Sequence, residues 1–192
     1  MLTEEQFNEA ATLLDCEPAS VKAVNQVEAR GNGFRPDGKA KILFEGHIFW
    51  KQLLSIGMNP QELQHGNEDI LYPKWDKTAV RPLYNMDQYV RLEKARQINT
   101  DAANKSASWG AFQIMGFNYH ACGYNSVGEF VTAQADEQNQ LLCFCKYLKG
   151  SHLDVNLRNL DWAGFARGYN GPDYTQNQYD TKLKNAYNSF KD

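Results

Sequence analysis

The sequence predicts a mainly α-helical single domain over residues 1–192, with one small β-hairpin. Most of the chain repeats apolar residues at the three- and four-residue spacing of amphipathic helices. Helix-starting and helix-stopping residues flank these segments, and one stretch, residues 33–45, carries strand-forming residues around a turn. A length of 192 residues with 42% hydrophobic and 22% charged residues fits a single core of ordinary globular composition.

The first two helices have clear sequence signals at their ends. Thr3-Glu4-Glu5-Gln6 is a capping-box pattern, which predicts a first helix that continues to about Asp15. Pro18 fits the first turn of a second helix, because a proline there loses no helical hydrogen bond. This second helix is expected to end near Gly31 and Gly33.

The remaining segments follow the same pattern and give roughly eight to ten helices in all. Helices are predicted over residues 48–54, 86–98, 126–135 and 136–149, after Asp161, and over 179–190. Residues 56–82 are rich in Gly, Asn and Pro and predict a long loop. Pro36-Asp37-Gly38 predicts the turn of the hairpin, and no other segment has a strand signal of that strength.

Charge and hydropathy argue against two kinds of partner. A net charge of −3 and a pI near 5.8 do not provide the basic surface that replaces phosphate counterions, so no nucleic-acid partner is predicted. No apolar run reaches the roughly 18 residues of a membrane span, so no stable membrane insertion is predicted. The N-terminus lacks a signal-peptide pattern, which predicts synthesis in the cytoplasm, and a monomer is expected by default.

The cysteines and histidines do not predict a metal site. Cys16, Cys122, Cys143 and Cys145 form no CxxC pair, and the four histidines show no HxxxH or HExxH spacing. The thiols are expected to be buried and free, and neither a metal nor an organic cofactor is predicted.

Glu28 is the first candidate for chemistry. It lies close to Val21 and Val24 on a face of the second helix that should be buried, where ionising a carboxyl group is costly. The negative end of the helix dipole also disfavours a carboxylate in this last turn. Both effects would raise the pKa of Glu28, as a general acid requires at neutral pH. The alternative is a glutamate that faces solvent or pairs with Arg30 or Arg35.

Two later segments, residues 106–116 and 165–172, combine aromatic and amide side chains as saccharide sites do. Aromatic rings match the apolar faces of sugars, whereas amides and backbone groups match their hydroxyl edges. The candidate sugar contacts are Trp109, Phe112, Gln113, Tyr169 and Asn170. In the alternative interpretation, Trp109, Phe112, Ile114 and Met115 belong to the core and the glycines only end helices.

Three motifs, in this order, resemble those of the goose-type lysozyme and lytic transglycosylase superfamily. They are Glu28-Ala29 at a helix end, Gly110-Ala111-Phe112-Gln113-Ile114, and Tyr169-Asn170-Gly171. Residues 24–34, 42–47, 106–119 and 161–174 more closely resemble the N-acetylmuramidase family found in phage endolysins. One departure is Ala29, because many transglycosylases have a serine after the glutamate.

The resemblance implies a lysozyme-like fold with a cleft between a larger helical lobe and a smaller lobe that carries the hairpin. It implies peptidoglycan as the substrate, cut at the β-1,4 bond between N-acetylmuramic acid and N-acetylglucosamine. Glu28 would protonate the glycosidic oxygen, while Gln113, Tyr169 and Asn170 would position the sugar or the acid. Phe34, at the end of the first matching segment, joins the candidate substrate contacts.

The second catalytic carboxylate is left open between Glu45 and Asp37. An inverting hydrolase needs its two carboxyl groups roughly 6.5–9.5 Å apart, and a retaining one roughly 5–5.5 Å. Asp37 follows Glu28 at a spacing that resembles smaller phage lysozymes, but it also suits an ordinary turn. Glu45 ends the second predicted strand, where it could face the cleft or brace Arg30 or His47, and it is preferred.

Three functions therefore stay open on the sequence alone. The preferred one is a muramidase that acts on the cell wall in the periplasm after release from the host cytoplasm. The second is a lytic transglycosylase, in which the same acid works with a hydroxyl of the substrate and leaves a 1,6-anhydro sugar. The third is a peptidoglycan-binding module without catalysis.

Overall fold

The computed structural model describes residues 2–29 and 33–191 and is mainly helical, as predicted. The helices within these residues are α1 (Glu4–Leu14), α2 (Pro18–Glu28), α3 (Gly46–Ser55), α4 (Pro60–Leu63), α5 (Lys77–Tyr84), α6 (Gln88–Arg96), α7 (Thr100–Lys105), α8 (Val127–Ala133), α9 (Glu137–Gly150), α10 (Asp154–Arg158), α11 (Trp162–Asn170) and α12 (Tyr179–Lys191). The strands are β1 (Ile42–Phe44), β2 (Ala107–Trp109) and β3 (Ile114–Met115). Two short 3-10 helices cover Gly116–Asn118 and Tyr174–Asn177.

The predicted ends of α1 and the start of α2 are confirmed. Thr3 and Gln6 form the capping box, with each side chain accepting a hydrogen bond from the other's backbone N–H. Asp15 takes a left-handed conformation that ends α1. Helix α2 ends earlier than predicted, at Glu28, because the backbone is already extended at Ala29. The predicted stop at Gly31 lies outside the described residues.

The predicted loop over residues 56–82 was partly wrong, because it contains α4 and most of α5. Each of these helices begins at a side chain that accepts hydrogen bonds from the first turn, Asn59 for α4 and Asp76 for α5. Helix α4 is too short to show an apolar repeat, and so are α7 and α10, which were also not predicted. Helix α5 contains Pro82, a residue that argues against a helix interior.

The three strands form one antiparallel sheet in the order β1-β2-β3. Leu43 pairs with Ser108, and Ser108 pairs with Met115. The predicted hairpin is reduced to one isolated bridge between Phe34 and Ala40, so the main partner of β1 comes from residues 107–109. Strand β2 escaped prediction because its three residues are too few to show a repeating pattern.

Side-chain alternation gives this sheet two different faces. Leu43, Ser108 and Met115 share one face, because they are directly paired across the strands. Phe44 and Trp109 belong to the buried core on the other side. The sheet therefore separates the hydrophobic core from a face that is free to form a wall of a cleft.

A buried arginine holds the end of β1 in place. Arg91 is fully buried and donates to the carbonyl of Phe44 at 2.8 Å and twice to the carbonyl of Asp69, at 3.0 and 2.8 Å. Gln88 accepts a further bond from Arg91 and another from the Phe44 N–H. A buried cation is tolerated when its donors are satisfied. Here the same bonds fix Phe44 at the end of β1, and they therefore also fix the backbone position of the next residue, Glu45.

The helical lobe is built around α2, which packs against α1 on one side and α12 on the other. Ala23 and Val24 of α2 are buried there together with Leu183 of α12. Within the described residues, none of the helices combines the length and the hydropathy that crossing a membrane requires.

The four thiols are free, as expected from the sequence. Cys122, Cys143 and Cys145 are buried, and burial raises the pKa of the Cys143 and Cys145 thiols. Cys16 is only partly buried, yet burial and the neighbouring Asp15 raise its pKa to about 12. At neutral pH Cys16, Cys143 and Cys145 are therefore protonated and poorly nucleophilic.

Gly116 lies in tight packing where β3 leads into the first 3-10 helix, and Gly128 of α8 provides a comparison at an open position. A Cβ atom on Gly116 would collide with the backbone carbonyl oxygen of Asn104, whereas one on Gly128 of α8 would meet only the Ser126 hydroxyl at 3.8 Å. We expect Gly116→Ala to lower the free energy of unfolding by about 1–3 kcal/mol. Gly128→Ala should raise it by about 0.4–1 kcal/mol, because alanine restricts the unfolded chain. Urea unfolding measures both free energies, and equal changes in the two variants would contradict this packing.

Candidate active site

A cleft of about 410 Å³ lies between the helical lobe and the open face of the sheet. This volume is in the range of small-molecule binding sites. Its described lining consists of Glu28, Leu43, Ser108, Phe112, Gln113, Ile114, Met115, Asn118, Tyr147, Tyr169, Asn170 and Tyr179. Five candidate residues from the sequence therefore come together here, namely Glu28, Phe112, Gln113, Tyr169 and Asn170.

Glu28 and Asn170 meet where two helices end. Glu28 is the last residue of α2 and Asn170 the last of α11, and the Asn170 amide Nδ2 donates to the Glu28 carboxylate Oε2 at 3.1 Å. The Asn170 Oδ1 is buried and accepts no hydrogen bond within the described residues. A bound hydroxyl or amide group would satisfy this acceptor.

Glu28 is partly buried and faces the cleft, so the alternative of a glutamate turned to bulk solvent is not what the structure shows. Arg35, one of its two suggested partners, instead forms two hydrogen bonds with Asp87, at 2.8 and 3.0 Å. Arg30, the other, lies outside the described residues. The raised pKa expected for Glu28 stays a prediction.

The β2–β3 turn presents Gln113 in a strained conformation. Gly110 has φ +72° and Gln113 has φ +50°, a region that costs a residue with a side chain on the order of 1–3 kcal/mol. The Ser108 hydroxyl donates to Gln113 Oε1 at 2.8 Å, and Gln113 Nε2 donates to the Gly110 carbonyl at 2.8 Å. These bonds fix the amide of Gln113 at the cleft wall.

Stacked aromatic rings connect this turn to α11. Phe112 lies parallel to Phe144 with ring centroids 4.2 Å apart, and Phe144 meets Tyr169 edge-on at 5.4 Å. The Tyr169 hydroxyl donates to the Phe112 carbonyl at 3.2 Å. Because Tyr169 precedes Asn170, this packing sets the position of the turn relative to the Asn170–Glu28 pair.

The structure places Trp109 and Phe34 away from the cleft lining. Trp109 is 3% exposed, lies on the core side of the sheet, and donates from its indole to the Asn104 carbonyl at 3.1 Å. This is the core role that the alternative interpretation gave it. Phe34 is partly buried in its bridge with Ala40 and is not among the described residues that line the cleft.

Asp37 occupies an exposed turn and has the contacts of a turn residue. Its Oδ1 accepts from the Lys39 N–H at 3.1 Å, and its Oδ2 lies 3.6 Å from Arg35 Nε. It is not among the described residues that line the cleft. The turn interpretation therefore accounts for this aspartate.

Glu45 directly follows β1 and is held by neighbouring aromatic and imidazole groups. The Tyr84 hydroxyl lies 3.1 and 3.0 Å from its two carboxylate oxygens, and His47 Nδ1 lies 3.4 Å from Oε2. Burial raises the pKa of Glu45, although the Tyr84 hydrogen bond and the charge of Arg91 act in the opposite direction. Glu45 lies next to His47, but the His47 Nδ1 has no hydrogen-bond partner within the described residues, so the alternative that Glu45 braces His47 stays a prediction. The described lining of the cleft does not include Glu45.

Several residues that line the cleft were not predicted from the sequence. Ser108 had a usable signal, because it is a single hydroxyl side chain between two buried residues and so marks the open face of a strand. Tyr147 and Tyr179 had none, because their position depends on how α9 and α12 pack against the rest of the fold.

The cleft offers acid–base and hydrogen-bonding groups. Within residues 2–29 and 33–191, no three His, Cys, Asp or Glu side chains are grouped to hold a metal ion. The lining combines one carboxyl group with amides, hydroxyls and aromatic rings. Such a set can donate a proton and bind a polyhydroxylated ligand.

Comparison with known proteins agrees with this chemistry. A comparison with curated proteins finds no match. The crystal structure of the Burkholderia AP3 phage endolysin superposes with a TM-score of 0.90 at 38% sequence identity, over 99% of this chain and 71% of that one. The N-acetylmuramidase family model matches residues 17–191. Since that match spans most of its length, the chain belongs to the N-acetylmuramidase family.

Proposed function

We propose that this protein is a muramidase that hydrolyses the β-1,4 bond between N-acetylmuramic acid and N-acetylglucosamine in peptidoglycan. The observation that carries the proposal is the position of Glu28, the one carboxyl group among the described residues that line the cleft. Membership of the N-acetylmuramidase family and the likeness to a phage endolysin support the same substrate.

In this proposal, Glu28 donates its proton to the glycosidic oxygen as the bond breaks. Asn170 then stabilises the carboxylate that remains, because an amide N–H already points at Oε2. Gln113 and Ser108 supply fixed polar groups on the opposite wall, and Phe112 supplies an apolar surface. Tyr169 acts through its hold on the turn, so it is a positioning residue.

The group that attacks the sugar carbon decides between two reactions. Water as the attacking group gives hydrolysis, and a hydroxyl of the substrate gives a 1,6-anhydro product. In either case, the proton that the attacking O–H group loses restores the Glu28 acid. Because the described lining supplies a single carboxyl group, a lytic transglycosylase is the second candidate function. We favour hydrolysis because the chain belongs to the N-acetylmuramidase family.

The proposed site of action is the bacterial cell wall, reached from the cytoplasm of the host in which the enzyme is made. The likeness to a phage endolysin supports this placement. We propose a monomer as the working unit, since the proposed reaction calls on no group from a second chain.

The first test replaces the proposed acid. We expect Glu28→Gln to lower the rate of turbidity clearing by roughly 100-fold or more, because the amide cannot donate the proton. Its thermal unfolding midpoint should stay close to that of the unaltered protein. Glu5→Gln, on the exposed first turn of α1, is the matched control and should clear normally. Normal clearing by Glu28→Gln would contradict the assignment of the acid.

The second test identifies the reaction from its products. Mass spectrometry of fragments released from purified peptidoglycan should find reducing N-acetylmuramic acid ends. Anhydro ends would instead identify a transglycosylase. Binding without any released fragment would mean that the protein is a peptidoglycan-binding module.

The third test removes the partner of the acid. We expect Asn170→Ala to lower kcat about tenfold or more, because a hydrogen bond to a charged group contributes about 1.5–3 kcal/mol. The effect should fall on kcat more than on KM, because the bond gains strength as negative charge develops on Glu28. Asn188→Ala, exposed on α12, serves as the control, and equal kcat values for the two variants would contradict the role of Asn170.

A further inference from the structure

An exposed tryptophan is fixed in place beside Glu45. Trp75 is 52% exposed, whereas Trp109 and Trp162 are 3% and 8% exposed. The Trp75 indole N–H donates to the Tyr84 hydroxyl oxygen at 2.9 Å, and that hydroxyl donates to the Glu45 carboxylate. Two successive hydrogen bonds therefore hold a large aromatic surface in contact with solvent.

Two more rings complete this group, which we name the Trp75 cluster and define as Glu45, His47, Tyr72, Trp75 and Tyr84. The rings of His47 and Tyr72 are stacked, with centroids 6.2 Å apart and an angle of 28° between planes. The Tyr72 hydroxyl accepts a hydrogen bond from the Gly46 N–H at 3.2 Å, and Gly46 follows Glu45. A partly buried carboxylate is thus surrounded by aromatic and hydroxyl groups.

The Trp75 cluster continues the sheet wall of the cleft. Glu45 donates its backbone N–H to the Ser106 carbonyl at 2.9 Å, so the antiparallel pairing of β1 with β2 extends to this residue. Glu45 lies two residues beyond Leu43, on the same face of the sheet, and Leu43 lines the cleft beside Glu28. At about 3.3 Å per residue, Glu45 is roughly 7 Å farther along this wall.

The chemistry of the Trp75 cluster matches a pyranose ring. The indole face can stack on the apolar face of a sugar, while the Glu45 carboxylate can accept bonds from its hydroxyl groups. The indole is already held by Tyr84, so binding does not require a free side chain to be ordered first. This arrangement combines the two kinds of contact that carbohydrate recognition uses.

We propose that the Trp75 cluster is a second saccharide subsite, which binds a more distant ring of the same glycan strand whose scissile bond lies at Glu28. The inference rests on the proposed function, since it assumes that a glycan occupies the cleft. It gives Glu45 a substrate-binding role in place of the water-activating role considered from the sequence.

Fluorescence can test binding without catalysis. In Glu28→Gln protein, we expect long glycan strands stripped of stem peptides to change the tryptophan emission, because Trp75 is the most exposed of the four tryptophans. The disaccharide unit alone should change it much less, since it can make only part of the contacts of a long strand and therefore binds more weakly. Adding Trp75→Phe should remove most of the change produced by long strands, while calorimetry still detects binding.

Kinetics on long soluble strands separate a binding role from a structural one. We expect Trp75→Ala to raise KM about tenfold with little change in kcat or in the unfolding midpoint. Phe190→Ala, an exposed aromatic on α12, should leave KM unchanged. Tyr84→Phe removes only the hydroxyl that links Trp75 to Glu45 and leaves the indole ring present. It should therefore raise KM less than Trp75→Ala does. Glu45→Gln should also raise KM, whereas Asp37→Asn should not.

Failure of this subsite and failure of the proposed function give different results. Normal cleavage by Trp75→Ala with an unchanged KM on long strands would overturn the subsite and leave the muramidase intact. Strand binding that leaves the Trp75 emission unchanged would do the same. If the unaltered protein neither binds nor cleaves peptidoglycan, the proposed function fails and the subsite fails with it.

Discussion

The hydrogen bond between Asn170 and Glu28 is the contact on which the cleft is organised. It joins the ends of α2 and α11, which are far apart in the sequence, and brings the carboxyl group to the face of a three-stranded sheet. On that face, Tyr169 fixes the β2–β3 turn through the Phe112 carbonyl. The position of the proposed acid therefore depends on tertiary packing from both sides, because neither helix end could hold it alone.

The two walls of the cleft use different physical means to present polar groups. On the helical side, Glu28 and Asn170 are terminal helix residues whose side chains meet across a short gap. On the sheet side, Gln113 takes an unfavourable backbone conformation that its hydrogen bonds to Ser108 and Gly110 offset. Strain of this kind persists only where surrounding contacts fix the segment, and the Phe112–Phe144 stack provides them.

Local signals in the sequence were sufficient for the long helices and for the residues of the motifs. The capping box at Thr3 and the side-chain caps of α8, α9 and α11 predicted helix starts that the structure confirms. The partner of β1 was not predictable, because it lies more than sixty residues away in a strand of only three residues. The exclusion of Trp109 from the cleft was not predictable for the same reason, because the pairing of β2 with β1 and β3 decides which face of the sheet the indole occupies. The Trp75 cluster was not predicted because its members come from separate segments, and Tyr72 and Trp75 fall in the stretch predicted as a loop.

Arg91 is a position at which the structure accepts few other residues. Its guanidinium reaches two carbonyl oxygens and an amide oxygen at once, which requires several donors spread in one plane. Lysine carries the same charge but concentrates its donors at a single point, so it could not serve all three groups together. An exchange that is conservative in charge would thus separate the 64–71 loop from the strand that precedes Glu45. Among homologous sequences, substitutions of Arg91 should be rarer than expected for a residue that does not line the cleft.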